Sequence, residues 1–419
     1  MRNFVENPRV SCSLSGGLGT LGAIYRAIPI LHAGPGCGIQ ASIGTQIDYL
    51  GGGTGCPSTN TYEKEVIFGG EQRLRETIQG TLDVIDADVY VVLSGCTAGI
   101  IGDDIQSVVE EFQDSGHTVL AIETAGFKGD TYYGYSVTML ALFKHLAQKT
   151  VTEEKTVNLF GLVPNLDITS NGDFEELVRV LGRIGVNANT FFYIPDGVEQ
   201  FRHAGNAALN INLSPWLLSN VEALLQSSFG IQTLHYPGLP VGPTATSDFL
   251  RKVGETLGID KALVERVIRE EEDYVYRYYE HALRELYRYI IVGDVNTVLG
   301  YSRYLTNDVG QVAYAAIITD QLPQSKRAAV EEELSHLEYG KPPKIFYEND
   351  KFKISEIIRE HEDFINLILG SSYEKEIASE LDTFHVTLSY PCTDQHILNK
   401  SHIGYRGCLT LIEDMYNNL

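Results

Sequence analysis

Cysteine is scarce in this chain, six in 419 residues, too few and too scattered for the stapled framework of a small secreted domain. Basic residues are scarce too. Lysine and arginine number 32 against 55 aspartates and glutamates, a formal charge of −23, whereas a protein that grips nucleic acid needs cations to neutralise phosphates. Long apolar runs are missing: Val89-Tyr-Val-Val-Leu93 is among the longest, far short of the roughly 20 residues of a membrane-spanning helix. No G-x-x-x-x-G-K-[S/T] occurs, the loop whose amides and lysine cradle nucleotide phosphates. Nor does a charged-then-apolar leader open the chain. These absences exclude nucleic-acid and membrane partners and predict a reduced, cytoplasmic protein.

The length exceeds what one core accommodates and predicts more than one domain. Forty glycines suit an α/β protein rich in strand-to-helix turns. In residues 1–150 a helix-like segment from Glu71 is followed by a strand at Val89–Leu93, a helix at Ile105–Phe112 and a strand at Thr118–Ile122. Short turns between such elements imply a parallel sheet. The pattern restarts in 151–290, with strands at Thr156–Val163, Ala208–Leu213 and Thr233–Tyr236, a helix at Asp173–Ile184 and a charged helical stretch from Lys261 to Tyr289. It restarts again in 291–419, introduced by the strand Tyr289–Asp294 and continued by Val312–Ile318 and Phe364–Leu369. Three Rossmann-like parallel-sheet domains in tandem are expected.

Ile28-Pro-Ile-Leu-His-Ala-Gly-Pro-Gly-Cys37-Gly reads as a strand that delivers a thiol to a tight loop, with glycines that let the backbone approach a bulky group. Cys12 and Cys96 also sit where apolar runs meet small residues, and Cys96 falls at the carboxyl end of a strand, where open α/β sheets bind ligands. Taken singly, each thiol also fits a buried structural role. Asp103 and Asp104 read as helix N-caps. Gly17-Leu-Gly-Thr-Leu-Gly22 has the form of a dinucleotide fingerprint, but no strand precedes it and no acidic residue follows on a second strand. These glycines read as clearance beside Cys12.

At Pro29–Cys37, at Thr61-Tyr-Glu-Lys-Glu-Val-Ile-Phe-Gly-Gly70 and at Cys96 with Ile101-Gly-Asp-Asp104, the sequence resembles the nitrogenase component 1 family. Leu369-Gly-Ser-Ser-Tyr-Glu-Lys and Gly404-Tyr-Arg-Gly407 extend the resemblance over nearly the whole chain. It implies a β-type subunit of a nitrogenase or nitrogenase-like reductase. Cys12, Cys37 and Cys96 would then supply half the ligands of an iron–sulfur cluster, P-cluster-like or 4Fe-4S, shared with an α-type partner in an α2β2 assembly. A separate ATP-hydrolysing iron–sulfur reductase would supply electrons. In Gly126-Phe-Lys-Gly-Asp-Thr131, Asp130 stands where β-type subunits place a serine that ligates the oxidised cluster. The resemblance makes Asp130 a candidate oxygen ligand and, with the short segment before Cys12, favours a nitrogenase-like enzyme acting on tetrapyrroles or methylthio-alkanes over a dinitrogen reducer.

The family's active-site cofactor hangs on a mid-chain cysteine and a late histidine. This chain has no cysteine between Cys96 and Cys392, so that ligand must come from the partner. His402, one position before the expected histidine, and His396 read as surface or interface residues. Cys56 sits beside a glycine-rich loop that offers a cofactor access, and Cys392 and Cys408 read as core or interface thiols. Two rival readings use other chemistry: a scaffold for metallocofactor assembly, and a metal-free dehydrogenase built on the glycine fingerprint.

Overall fold

The computed structural model describes residues 5–47, 56–282 and 286–417. Three separate sheets, every pairing parallel, follow one another along the chain. The first contains β1 (Ala27–His32), β2 (Val89–Ser94) and β3 (Val119–Ile122) in that order. Register runs from Ala27 opposite Val89 to His32 opposite Ser94, so β1 and β2 end level. Every residue of both strands is buried, as expected of a parallel sheet covered on two faces. Leu31, Val91 and Leu93 face the main core, shared with α1 (Ser13–Gly22). Ile28, Ile30 and Val92 face a second core, which contains Leu74, Ile78, Val108 and Val109.

The second sheet has the order β5-β4-β6-β7, from β4 (Glu153–Phe160), β5 (Asn187–Asn189), β6 (Ala207–Asn212) and β7 (Gln232–His235). The third has the order β10-β9-β8-β11-β12, from β8 (Arg288–Gly293), β9 (Val312–Ile318), β10 (Lys344–Tyr347), β11 (Leu367–Gly370) and β12 (Phe384–Thr387). The three-sheet α/β architecture is as expected. The last helix, Gly404–Asn417, returns to pack on the helices Ser170–Arg183, Gly242–Thr256 and Lys261–Ala282.

Three segments differ from the sequence reading, one of them the strand expected at 364–369, which begins only at Leu367 because Glu362–Phe364 form a 3-10 turn. The strand expected at 156–163 is β4 and stops at Phe160, because Gly161 turns the chain with φ +108°. The charged helix does not reach Tyr289. That residue is fully buried in β8, paired with Ala313 and Leu367, so sheet burial overrides the helical spacing of the charges.

Candidate functional site

Each of the three cysteines lies at a helix N-terminus. Cys12 is the N-cap of α1. Cys37 is the third residue of α2 (Pro35–Ile47), which corrects the expected loop: Pro35 at the first helical position has its φ preset and no N–H to lose. Leaving α3 (Glu63–Phe68) and α4 (Glu71–Val84) between them, the chain reaches Cys96 as the first residue of α5 (Cys96–Ile101), directly after β2. Free N–H groups and the positive end of the helix dipole favour a thiolate at such positions.

The three thiols converge. A Cβ added to Gly126 would lie 3.1 Å from the Cys96 sulfur, 3.1 Å from the Cys12 Cβ and 3.5 Å from the Cys12 sulfur. A side chain there would press on both cysteines. The Gly126 N–H donates to the Cys96 Sγ at 3.2 Å, the kind of bond that tunes a ligating sulfur. Burial, and then the neighbouring Cys12 and Cys96 thiols, push the Cys37 thiol above its ordinary range. Among the described residues no three His, Cys, Asp or Glu side chains close on a single ion. A single zinc would need its sulfurs within about 2.3 Å of one point, whereas a multi-iron cluster holds its thiolates farther apart. Three soft thiol donors with an amide aimed at sulfur fit an iron–sulfur group.

Asp130 stands beside Cys12, with which it forms an isolated antiparallel bridge. Its carboxylate accepts the Tyr133 N–H at 3.0 Å and so caps α7 (Thr131–Leu146), after α6 (Ile105–Gln113) in chain order. The segment before Cys12 is tied to the far end of the chain. Arg9 forms a buried ion pair with Glu374 and donates to the Ser371 hydroxyl at 2.6 Å and the Tyr390 carbonyl at 3.0 Å. The motif Leu369–Lys375 therefore anchors the segment that leads to Cys12. Gly404, in the closing motif, has φ +72° and no space for a side chain beside Glu176.

Asp104 caps α6 as expected, accepting the Ser107 N–H at 3.0 Å. Asp103 does not cap. Its two oxygens take the His32 Nε2 at 2.8 Å and the Gly70 N–H at 2.9 Å, and the His32 and Asp103 side chains are 0% and 2% exposed. This pair joins three of the motifs, and sequence reasoning missed it; a histidine ending an otherwise apolar strand was the available signal.

The other candidates lie elsewhere. His402 is a buried residue, 1% exposed, not a surface one. Its Nε2 lies 2.7 Å from Asp414 and its Nδ1 3.3 Å from the Tyr301 hydroxyl, so both ring nitrogens are engaged. His396 is exposed. Burial pushes the Cys56 thiol up to about 12, and residues 51–55 of its glycine loop lie outside the described residues. Cys408 is buried and also pushed up to about 12. The glycine fingerprint Gly17–Gly22 lies within the helix α1, where Gly17 faces the Leu93 and Thr138 side chains and Gly19 the Asn165 side chain. The close approach of two helix backbones is made by glycines outside it, Gly16 against the Thr131 carbonyl and Gly134 of α7 against that of Ser13.

Beyond the carboxyl ends of β4, β8 and β9 lie Asp167, Asp294 and Asp320. Burial drives all three carboxyls upward, and the nearby Asp294 adds to the rise at Asp167 and Asp320. No cation pairs with them among the described residues.

On the outside, Cys96 is exposed beside a patch of large apolar side chains. Phe68 is 80% exposed, Ile100 75% and Phe127 60%. The helix α3 that carries Phe68 packs on α5, and Phe127 lies against Gly99. Contiguous exposed apolar surface of this kind marks a protein interface. No described helix is long and apolar enough to cross a membrane.

The chain is a three-sheet α/β protein that brings three cysteines from three separate segments together beside exposed apolar side chains. Residues 12–419 match the family Nitrogenase component 1 type Oxidoreductase, and the chain belongs to that family as a β-type subunit. It is 23% identical over 441 residues to the nitrogenase vanadium-iron protein beta chain of Trichormus variabilis, covering 97% of this chain and 92% of that one. A shorter match, 26% over 258 residues, is to the nitrogenase iron-molybdenum cofactor biosynthesis protein NifE of Clostridium pasteurianum, covering 60% of this chain and 55% of that one. The solved structure of nitrogenase Cp1 at pH 6.5 shares the fold, with a TM-score of 0.83 at 18% identity, covering 100% of this chain and 93% of that one. Membership makes the protein an oxidoreductase subunit, and beta chains of the family carry iron–sulfur clusters.

Proposed function

We propose that this chain is the electron-relay half of a nitrogenase-like reductase. Cys12, Cys37 and Cys96 hold one side of an iron–sulfur cluster whose other side is held by an α-type partner. When bound, the cluster supplies one-electron storage at low potential between an ATP-dependent reductase and a substrate site in the partner. The chain's own residues orient and insulate. Helix N-termini stabilise the three thiolates, Gly126 donates to the Cys96 sulfur, and the apolar patch excludes water once covered. Asp130 would offer an oxygen ligand; its backbone pairs with that of Cys12, which supports the reading, and its carboxylate caps α7. The observation that carries this reading is the convergence of three thiols from three separate segments at an exposed, unfinished face.

The test is Cys37→Ala in the complex purified anaerobically with its partner. Iron content and the visible absorption should collapse together, because one lost thiolate leaves iron undercoordinated. A variant with full iron, colour and electron-transfer activity makes Cys37 structural and ends the proposal. A second reading, a scaffold on which a metallocofactor is assembled, is favoured by the partial match to a biosynthesis protein. It would use the same cysteines, so turnover with an added reductase separates the two.

A further inference from the structure

We infer that the buried His32–Asp103 pair is the positioning device that sets Cys96 relative to Cys37, acting on the cluster without touching it. The inference rests on the cluster reading above. Cys96 opens α5, a helix of six residues, too short to hold its own shape or direction in water. His32 grips it at both ends. At the start, the His32 carbonyl accepts the N–H of Gly95 at 2.9 Å, one residue before Cys96. At the far end, past the left-handed Gly102 with φ +79°, the His32 ring bonds Asp103 at 2.8 Å.

The same histidine ends β1, so it also fixes where the chain departs toward Cys37. Its Nδ1 lies 3.2 Å from the Thr59 hydroxyl oxygen, which in turn takes the Ala33 N–H at 3.1 Å. The second Asp103 oxygen holds the Gly70 N–H at 2.9 Å. A Cβ at Gly70 would come within 2.5 Å of Asp103 and 2.8 Å of the His32 ring. One pair of side chains thus joins the turn before Cys37, the helix of Cys96, and the 59–70 segment that leads to α4.

A purely structural role does not need this chemistry. Burying an imidazole and a carboxylate is costly, and a well-packed apolar pair would serve stability as well or better. What a directional pair adds is geometric precision, as outer-shell partners do for metal ligands, where their loss typically costs about 10- to 100-fold in metal affinity.

The experiment follows iron release to a chelator, with the electron paramagnetic resonance spectrum of the cluster, in the anaerobically purified complex. His32→Ala and the isosteric Asp103→Asn should release iron about tenfold faster or more and change the spectrum. His32→Gln, which keeps a donor near the Nε2 position, should behave close to wild type. Val108→Ala, a core truncation in the fully buried cluster beneath the same sheet, supplies a matched loss of stability and should leave both readouts unchanged. Release that follows thermal stability across all four variants, or that stays at the wild-type rate in Asp103→Asn, overturns the inference. Should His32→Ala fail to fold, Asp103→Asn decides. An iron-free wild-type complex instead defeats the cluster reading itself, and this inference with it.

Discussion

Asp130 and His402 show how differently two polar residues near a cofactor motif behave. Asp130 is half-buried beside Cys12 and its side chain is already occupied by an N-cap bond. Asp130→Ala should therefore cost about 0.5–2 kcal/mol of stability, measured by denaturant unfolding. Asp130→Asn should cost much less, because asparagine caps as well. Redox titration of the two variants addresses ligation: an unchanged midpoint and spectrum in both removes Asp130 from the ligand set. His402 has both nitrogens committed to Asp414 and Tyr301. His402→Ala should destabilise the fold by roughly 1–3 kcal/mol, since it strands buried polar partners, while iron per complex stays at the wild-type value. Loss of iron in a variant that remains fully folded would restore His402 as a site residue.

At the scale of elements, backbone proximity and buried charge make the testable statements. The helices α1 and α7 touch through glycine, with Gly134 against the Ser13 carbonyl. Gly134→Ala should separate them at a cost of about 1–3 kcal/mol, and because Ser13 adjoins Cys12 the iron content should fall as well. The carboxyls beyond β4, β8 and β9 predict the pH response. Their pKa values are raised in the folded state, so the fold holds protons that the unfolded chain releases. Their contribution is most favourable below the ordinary carboxylate range and declines as pH rises from that range through the raised folded-state values. Asp320→Asn removes one such burden. It should raise the melting temperature at neutral pH and leave it nearly unchanged in acid; a lower Tm at neutral pH would show that the bond from the Val295 N–H to the Asp320 carboxylate outweighs the cost of its burial.

Elements announced by local chemistry were legible in the sequence. The strand before Cys96 and the cap at Asp104 are written in neighbouring residues, and so is the alternation that gives three parallel sheets. The rest depends on partners far along the chain. Arg9 meets Glu374 and His32 meets Asp103 only after the sheets have formed, and no periodicity encodes such pairs. Cys37 was misplaced in a loop because glycine and proline signal a turn and a helix start alike. The convergence of the cysteines came from resemblance to a family rather than from spacing.

For the whole molecule, the formal charge of −23 and the absence of a phosphate-cradling loop predict that the complex binds no nucleotide alone. Calorimetric titration with Mg-ATP in the absence of reductase should show no stoichiometric micromolar binding; finding it would mean that the energy input enters through this protein.

The tie between Arg9 and Glu374 bears on the order of manufacture. Cys12, Cys37 and Cys96 are all made within the first hundred residues, but the counter-charge that seats the segment before Cys12 lies more than three hundred and fifty residues behind Arg9. A nascent chain thus exposes its thiols long before it can arrange them. On the cluster reading proposed above, metal offered during synthesis would meet a half-made binding surface.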